Sequence, residues 1–301
     1  MKNSKLSICV PTFNRSNLLR TLIRSIDDTY KDYLEIIIVD DGSIDDTRKV
    51  CSEYSKKFNL KYHFQENAGR SHALHKAIEE STSEFTIIMD SDDKFESNGI
   101  EKILGHITKF SEKIYQENIA GFVMLCSNGG KTIGSQFKRH VSIGNILRDE
   151  ADGKIYGDKK QIIRTNILKD FLYKPFPNEK RMATSIIWNR LSEEYSVMNI
   201  NEVVASKDYL DDGLTKNINP IRALSPNSSS LYYLEAFSLY SKVYKSILFA
   251  MRMGINLLRY SLHLKSLVYI RKVNFLKLRI ILIVASPFAI YLFLKDKNEN
   301  R

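Results

Sequence analysis

The chain has little cysteine, and what it has is scattered. Cys9, Cys51 and Cys126 form no CxxC pair, so a zinc site is not expected. Cys9 and Cys126 lie within apolar runs, where a thiol serves as a small core residue. A secretory leader is not expected either. Met1-Lys2-Asn3-Ser4-Lys5 runs straight into a short strand-like segment, which makes a reducing cytoplasm the expected compartment. Glycine is absent from Pro11–Arg15, which argues against the glycine-rich phosphate loop of a nucleotidylyltransferase. No nucleic-acid motif is present, so nucleic acid is not an expected partner. Ile280–Leu294 is free of charge for 15 residues, short of the roughly 20 a spanning helix needs.

What remains is a globular composition of 301 residues with a lopsided charge. The net charge is +10, and Leu231–Arg301 holds 12 Lys+Arg against 3 Asp+Glu. The preceding residues are close to neutral. A basic appendage on a neutral body points to an anionic surface as partner.

The first hundred residues alternate between strand-like and helix-like patterns. Leu6–Val10 reads as a buried strand closed by Pro11, and Ile36-Ile37-Ile38-Val39 as a second. Leu60–Phe64 reads as a third and Phe85–Met89 as a fourth. Between them, Leu18, Leu19, Leu22, Ile23 and Ile26 mark one helical face. Asp45-Asp46-Thr47 can cap a helix reaching Phe58, and Ser71–Glu80 is a third helix. Alternating βαβα with continuously apolar strands predicts an α/β fold: a Rossmann-like, mostly parallel sheet with helices on both faces. Ligands of such sheets bind outside the carboxyl ends of the strands. Pro11-Thr12-Phe13-Asn14-Arg15, Asp40-Asp41-Gly42-Ser43 and Asp90-Ser91-Asp92-Asp93 each follow a strand, so all three clusters fall at that edge.

The last of these clusters is the most informative. Close carboxylates raise one another's pKa unless a cation sits between them, and hard oxygen ligands on a short turn suit Mg²⁺ or Mn²⁺ shared with phosphates. An acidic turn capping the next helix is the alternative.

Beyond Asn98 the pattern loosens. A helix is expected over about 99–116, a strand over Ile119–Cys126 and a mobile loop over Asn128–Arg139. Lys180–Leu191 reads as a helix, and Pro226-Asn227-Ser228-Ser229-Ser230 as a boundary. The expected domains are therefore 1–225, with a nucleotide-binding half (1–100) and an acceptor-side half (101–225), and a basic amphipathic helical tail, 226–301. Leu231–Lys272 is helical by pattern and resembles an interfacial helix. Ile280–Leu294 is expected to dip into one leaflet.

Four motifs in this order, Val10–Arg15, Ile36–Ser43, Asn67-Ala68-Gly69-Arg70 and Met89–Asp93, resemble the family 2 glycosyltransferases, inverting enzymes of the GT-A fold. The match covers roughly residues 5–100. A weaker likeness continues through Gly157-Asp158, Phe176-Pro177, Glu179-Lys180, Trp188 and Asp212-Gly213-Leu214-Thr215. That set looks like a bacterial subgroup building capsule, O-antigen or exopolysaccharide units. The resemblance implies a nucleotide-sugar donor, probed by Pro11, Thr12, Asn14 and Arg15, with Asp40 or Asp41 accepting from uracil or ribose. Asn67, Gly69 and Arg70 would meet the base or diphosphate. Asp90, Ser91 and Asp92 form the DxD segment, with Asp92 binding Mn²⁺ or Mg²⁺ and Asp90 assisting. It also implies a polyprenyl-linked glycan acceptor, met at the cytoplasmic face of the membrane, to which the tail attaches peripherally.

The base is less clearly marked. Relatives carry two acids after their Phe-Pro, the second about five residues beyond the first. Here Glu179 is present, but the second position is Thr184, whose hydroxyl cannot act as a base at neutral pH. Either Glu179 or Asp158 takes the role, or the chain is a catalytically weakened, membrane-associated assembly partner.

Overall fold

A computed structural model describes residues 4–207 and 218–299; the Asp212–Thr215 motif lies outside them. The chain divides into two compact units. One is Met1–Asn145, Lys154–Tyr173 and Tyr195–Tyr209; the other is Ile146–Gly153, Lys174–Glu194 and Leu210–Arg301. This division differs from a single boundary near 225, because two internal segments join the C-terminal helices.

The first unit is built on one sheet. Its strands are β1 (Leu6–Thr12), β2 (Leu34–Asp40), β3 (Leu60–Phe64), β4 (Phe85–Ile88), β5 (Asp93–Phe95), β6 (Ile119–Asn128), β7 (Lys131–Thr132), β8 (Val141–Gly144), β9 (Lys159–Arg164) and β10 (Ser196–Lys207). They lie in the order β3-β2-β1-β4-β9-β6-β10-β5, with β7 on β6 and β8 on β10. β1 to β4 are parallel, as are β6 and β10. β9 enters antiparallel between β4 and β6. The expected parallel sheet is therefore the first half, and the second half is mixed.

Four helices of this unit are α1 (Ser16–Arg24), α2 (Thr47–Tyr54), α3 (Arg70–Glu79) and α4 (Gly99–Gln116). Successive strand side chains point to opposite faces. Leu6, Ile8 and Val10 of β1 join a core with Leu19 and Leu22 of α1, Val50 of α2 and Ile103 of α4. Cys9, one residue out of step, donates its thiol to the Ala77 carbonyl of α3 at 3.2 Å. Both faces are thus covered, which is why the strands are apolar without alternation. The expected mobile loop is pinned instead. Lys131–Thr132 pairs back on β6, and Asn201 of β10 bonds the backbone of Phe137 and Arg139.

The second unit is helical, and it corrects the reading of the tail. Pro226 does not end a domain; it opens the helix Pro226–Ser238, where its missing N–H is no loss. Leu231–Lys272 is not one helix. Chain reversal at Ser241, left-handed at φ +72°, separates Pro226–Ser238 from Ile247–His263, and Ser246 caps the latter through the Phe249 N–H. The last helix, Leu276–Glu299, runs 24 residues with Pro287 inside. Within Leu276–Asn298 its most apolar 18 residues have a mean hydropathy of 1.9, so the helix is long and apolar enough to cross a membrane by length and composition. One face carries Leu278, Ile281, Leu282, Ala285 and Ala289, all buried, and the other exposes Ile283, Val284, Phe288, Ile290 and Tyr291. Near its end, Asp296 pairs with Arg259 and, at 2.8 Å, with His263 of the helix Ile247–His263.

One buried carboxylate of the sheet sets an acid limit. Glu35 accepts from Ser7 Oγ at 2.6 Å, from Thr82 N–H and hydroxyl at 2.8 Å, and pairs with Lys61. Burial alone would push its pKa up, but Lys61, Ser7 and Thr82 more than reverse this, leaving it below the ordinary 4.5. Its contribution to stability is therefore complete above 4.5 and is lost as pH falls through the lower folded value. Glu35→Gln should flatten the acid side of a urea-midpoint profile and lower the neutral plateau. An unchanged acid limb would show that other carboxylates govern it.

Candidate functional site

The polar loops at the carboxyl ends of β1, β2 and β4 are locked to one another. Asn14, left-handed at φ +49°, donates its N–H to Ser43 Oγ and accepts from the Ile44 N–H, both at 2.8 Å. Asp45 accepts from the Ser16 N–H at 2.9 Å and the Thr47 N–H at 3.0 Å, holding the first turns of α1 and α2 together. Pro11 sits in β1 opposite Val39. The buried Thr12 hydroxyl has no partner among the described residues.

Asp40 and Asp41 are both buried at the end of β2. Asp40 accepts from the Ser43 N–H at 2.8 Å and the Tyr62 hydroxyl at 2.7 Å. Asp41 accepts from Gln65 Nε2 at 2.7 Å and from the Ala68 and Gly69 N–H groups at 2.9 and 2.8 Å. Asn67 Nδ2 donates to the Asp41 carbonyl at 2.9 Å. These carboxylates are engaged by their own loops, so their direct effect is on the wall of the site. Gly69 stands at φ +101°, a conformation that favours glycine, and delivers Arg70 to the start of α3.

The acidic turn after β4 closes on itself. The Asp93 N–H donates to the Asp90 carbonyl at 2.9 Å, and the Asp90 N–H donates to Asp93 Oδ2 at 3.0 Å. Ser91 is buried within it. Asp93 is also buried and pairs with Lys160 of β9, whose ammonium reaches the Ile88 carbonyl at 3.3 Å as well. Arg15 Nη1 donates to Asp92 Oδ2 at 2.6 Å. Arg70 Nε donates to Asp90 Oδ1 at 2.8 Å. Lys207, the last residue of β10, lies 4.0 Å from Asp90 Oδ2 and 3.1 Å from Asp158 Oδ2.

Among the described residues these carboxylates thus face Arg15, Arg70, Lys160 and Lys207. Burial would raise the Asp90 pKa, but Arg70, Lys160 and Lys207 hold it far below the usual carboxylate range. Burial would lower that of Lys207, and Asp93, Asp90 and Asp158 keep it well above the ordinary lysine value. Asp158 owes its position to two back-to-back glycines. Gly157, at φ +79°, has no room for a Cβ, which would stand 2.7 Å from the Gly134 Cα.

Arg15, Arg70, Asp90, Asp92 and Asp158, five residues singled out from sequence, are gathered here. Lys160 and Lys207 were not anticipated, although the clustered acids Asp90, Asp92 and Asp93 demand counter-charge. Glu179 belongs to the second unit. Its carboxylate accepts from the Asn227 and Ser228 N–H groups, both at 2.8 Å, from Asn227 Nδ2 at 3.1 Å, and from the Ser228 hydroxyl. It therefore caps the helix Pro226–Ser238 and satisfies donors that have no partner within it.

The donor chemistry of Asp90 and Asp92 fits Mg²⁺ or Mn²⁺. Both are hard oxygen ligands, two positions apart with Ser91 between them, on a fixed turn and partly open at 30% and 20% side-chain exposure. No group of three or more His, Cys, Asp or Glu among the described residues could enclose a metal. A cation here would complete its shell with water and substrate phosphate, as Mg²⁺ commonly does.

Removing one partner of the buried Lys160–Asp93 pair strands a charge in the core. Lys160→Met and Asp93→Asn should each cost about 3–5 kcal/mol in urea unfolding, and the double variant less than their sum. Additive losses would mean that the two side chains do not act as a pair.

The family model described as Glycosyl transferase family 2 matches residues 7–168. Glycosyltransferase GlyA of Streptococcus pneumoniae is 33% identical over 122 residues, 40% of this chain and 17% of that protein. The Campylobacter jejuni GalNAc(5)-diNAcBac-PP-undecaprenol beta-1,3-glucosyltransferase is 36% identical over 104 residues, 33% of each chain. The Staphylococcus aureus poly(ribitol-phosphate) beta-N-acetylglucosaminyltransferase TarS is 27% identical over 210 residues, 68% of this chain and 35% of that one. The chain thus spans well under two thirds of the curated relatives it matches. Among solved structures, S. aureus TarS 1-349 with UDP-GlcNAc aligns at TM-score 0.59 and 19% identity, covering 93% of this chain and 79% of that one. The Pyrobaculum calidifontis mannosyltransferase PcManGT with GDP-Man and Mn²⁺ aligns at 0.56 and 14%, covering 97% and 82%. These likenesses are of fold, and they bear out the α/β GT-A architecture. With more than half of its length matched by the family model, the chain belongs to glycosyl transferase family 2.

Proposed function

We propose that this chain moves one sugar from a nucleotide-sugar, uridine-linked first among them, to a lipid-linked or polysaccharide acceptor in bacterial surface-glycan synthesis, with inversion. The observation that carries the reading is the acidic turn after β4, ringed by Arg15, Arg70, Lys160 and Lys207 at the carboxyl ends of parallel strands. The TarS structure holding UDP-GlcNAc supports the donor class, and the undecaprenol acceptor in the Campylobacter relative's name supports the acceptor class.

In this reading the loops after β1 and β3 receive the nucleoside. Arg15, Arg70 and Lys207 meet the diphosphate, whose charge grows as it leaves. Asp90 and Asp92 would hold Mn²⁺ or Mg²⁺, which would supply Lewis-acid stabilisation of that charge. Asp158 takes the proton from the attacking acceptor hydroxyl; its support is that it is half exposed and shares Lys207 with Asp90. The tail meets the cytoplasmic membrane through the apolar outer face of Leu276–Glu299, flanked by Arg271, Lys272, Lys277, Arg279, Lys295 and Lys297.

A second reading is a catalytically weakened relative serving as an assembly partner at the membrane. The commitment of Glu179 to a helix cap, with Thr184 at the other acid position, favours it.

Transfer or hydrolysis of nucleotide-sugars, assayed with and without Mn²⁺, separates the two. The enzyme reading expects turnover that Asp92→Ala abolishes and Asp158→Asn lowers by about 10²–10⁴ in kcat. Glu179→Gln should instead lower stability by about 1–3 kcal/mol with kcat retained. No turnover with any donor would favour the assembly reading.

For the membrane, the combined variant Ile283→Asn, Val284→Asn, Phe288→Asn and Tyr291→Asn leaves the buried face intact. It should move the protein from the membrane fraction to the soluble one. A variant that still pellets with membranes would sink the attachment.

A further inference from the structure

Two kinds of ion pair surround the acidic turn, and exposure separates them. Lys160 and Asp93 keep 8% and 1% of their side-chain surface. Arg15 and Asp92 keep 25% and 20%, and Arg70 and Asp90 keep 34% and 30%. The first pair is sealed in the sheet. The other two are only partly buried, within reach of a ligand, and a guanidinium fork suits phosphate as well as carboxylate.

Charge adds a second constraint. Among the described residues Asp90, Asp92 and Asp93 meet Arg15, Arg70, Lys160 and Lys207, and Asp158 meets Lys207 as well. A diphosphate alone would add negative charge to this cluster, and a divalent cation alone would add positive charge. Together the two largely offset each other, and the open carboxylates and guanidinium groups can then change partners.

We propose that Arg15 and Arg70 are exchangeable counterions. Before the donor arrives they hold Asp92 and Asp90; they pass to the diphosphate as a divalent cation takes the carboxylates. The inference rests on the nucleotide-sugar reading of this site. Its consequence is positive coupling: each ligand removes the partner that obstructs the other. By reciprocity the nucleotide tightens the cation by the factor with which the cation tightens the nucleotide. The roles divide cleanly. Lys160 keeps the shape of the turn through Asp93, and the two arginines keep its charge.

The test is calorimetric titration of the full chain with Mn²⁺ alone, with UDP alone, and with each in the presence of the other. Wild type should bind Mn²⁺ on the order of tenfold tighter with UDP present. In Arg15→Gln or Arg70→Gln, Mn²⁺ alone should bind roughly fivefold tighter, because a carboxylate has lost its competitor. UDP with Mn²⁺ should bind more weakly, and the coupling should shrink. A merely structural role would weaken both ligands together. Thermal melts check folding, and Arg15→Lys and Arg70→Lys serve if the glutamine variants unfold; they should give intermediate coupling. Mn²⁺ affinity without UDP that is unchanged or weaker in every variant, or undetectable throughout, overturns the proposal. If wild type fails to bind UDP even with Mn²⁺, the nucleotide-sugar reading falls, while the Mn²⁺-only comparison still decides whether the arginines compete for the carboxylates.

Discussion

Three carboxylates crowded onto one turn repel each other, and much of the first unit is arranged around the cations that offset them. The cations come from far apart in the chain. Arg15 follows β1, Arg70 opens α3, Lys160 lies on β9 and Lys207 ends β10. This gives the mixed half of the sheet a purpose that parallel pairing alone would not serve. β9 runs antiparallel beside β4, which brings Lys160 under the turn that β4 ends in. β10 pairs with β5 so that Lys207 lies opposite Asp93. The strand order is thereby tied to the electrostatics of one short loop.

The surrounding loops are held with comparable strictness. Asn14 joins the loops after β1 and β2, Asp45 joins two helix starts, and Asp41 gathers Gln65, Ala68 and Gly69. Each tie connects segments that a ligand would have to touch together. A site assembled before its ligand arrives loses less ordering entropy on binding, and its dipoles need little rearrangement. Asp40 and Asp41 contribute through this bracing, each carboxylate buried and fully engaged.

The readable part of the chain was the part governed by local rules. Apolar runs ended by Pro11, Asp40 and Asp90 located three strands and the loops after them, because buried parallel strands have a plain pattern. The turn residues also stood out as motifs. What could not be read depends on partners distant in sequence. Lys160 looks like any strand lysine until Asp93 is known to lie beside it, 67 residues away. Pro226–Ser230 has the composition of a linker, yet the Glu179 carboxylate, 48 residues earlier, turns it into a helix start. The basic tail misled in the same way: periodicity continued across Ser241, where the backbone turns left-handed and one helix gives way to the next.

The division of the ionic cluster into a sealed pair and two partly buried ones has a further meaning when ionic strength varies. Dissolved salt screens fully exposed charges and acts much less on buried or partly buried pairs. Rising salt therefore weakens Arg15–Asp92 and Arg70–Asp90 only modestly and leaves Lys160 and Asp93 together. One loop thus carries its charge in a setting that the surrounding electrolyte hardly disturbs.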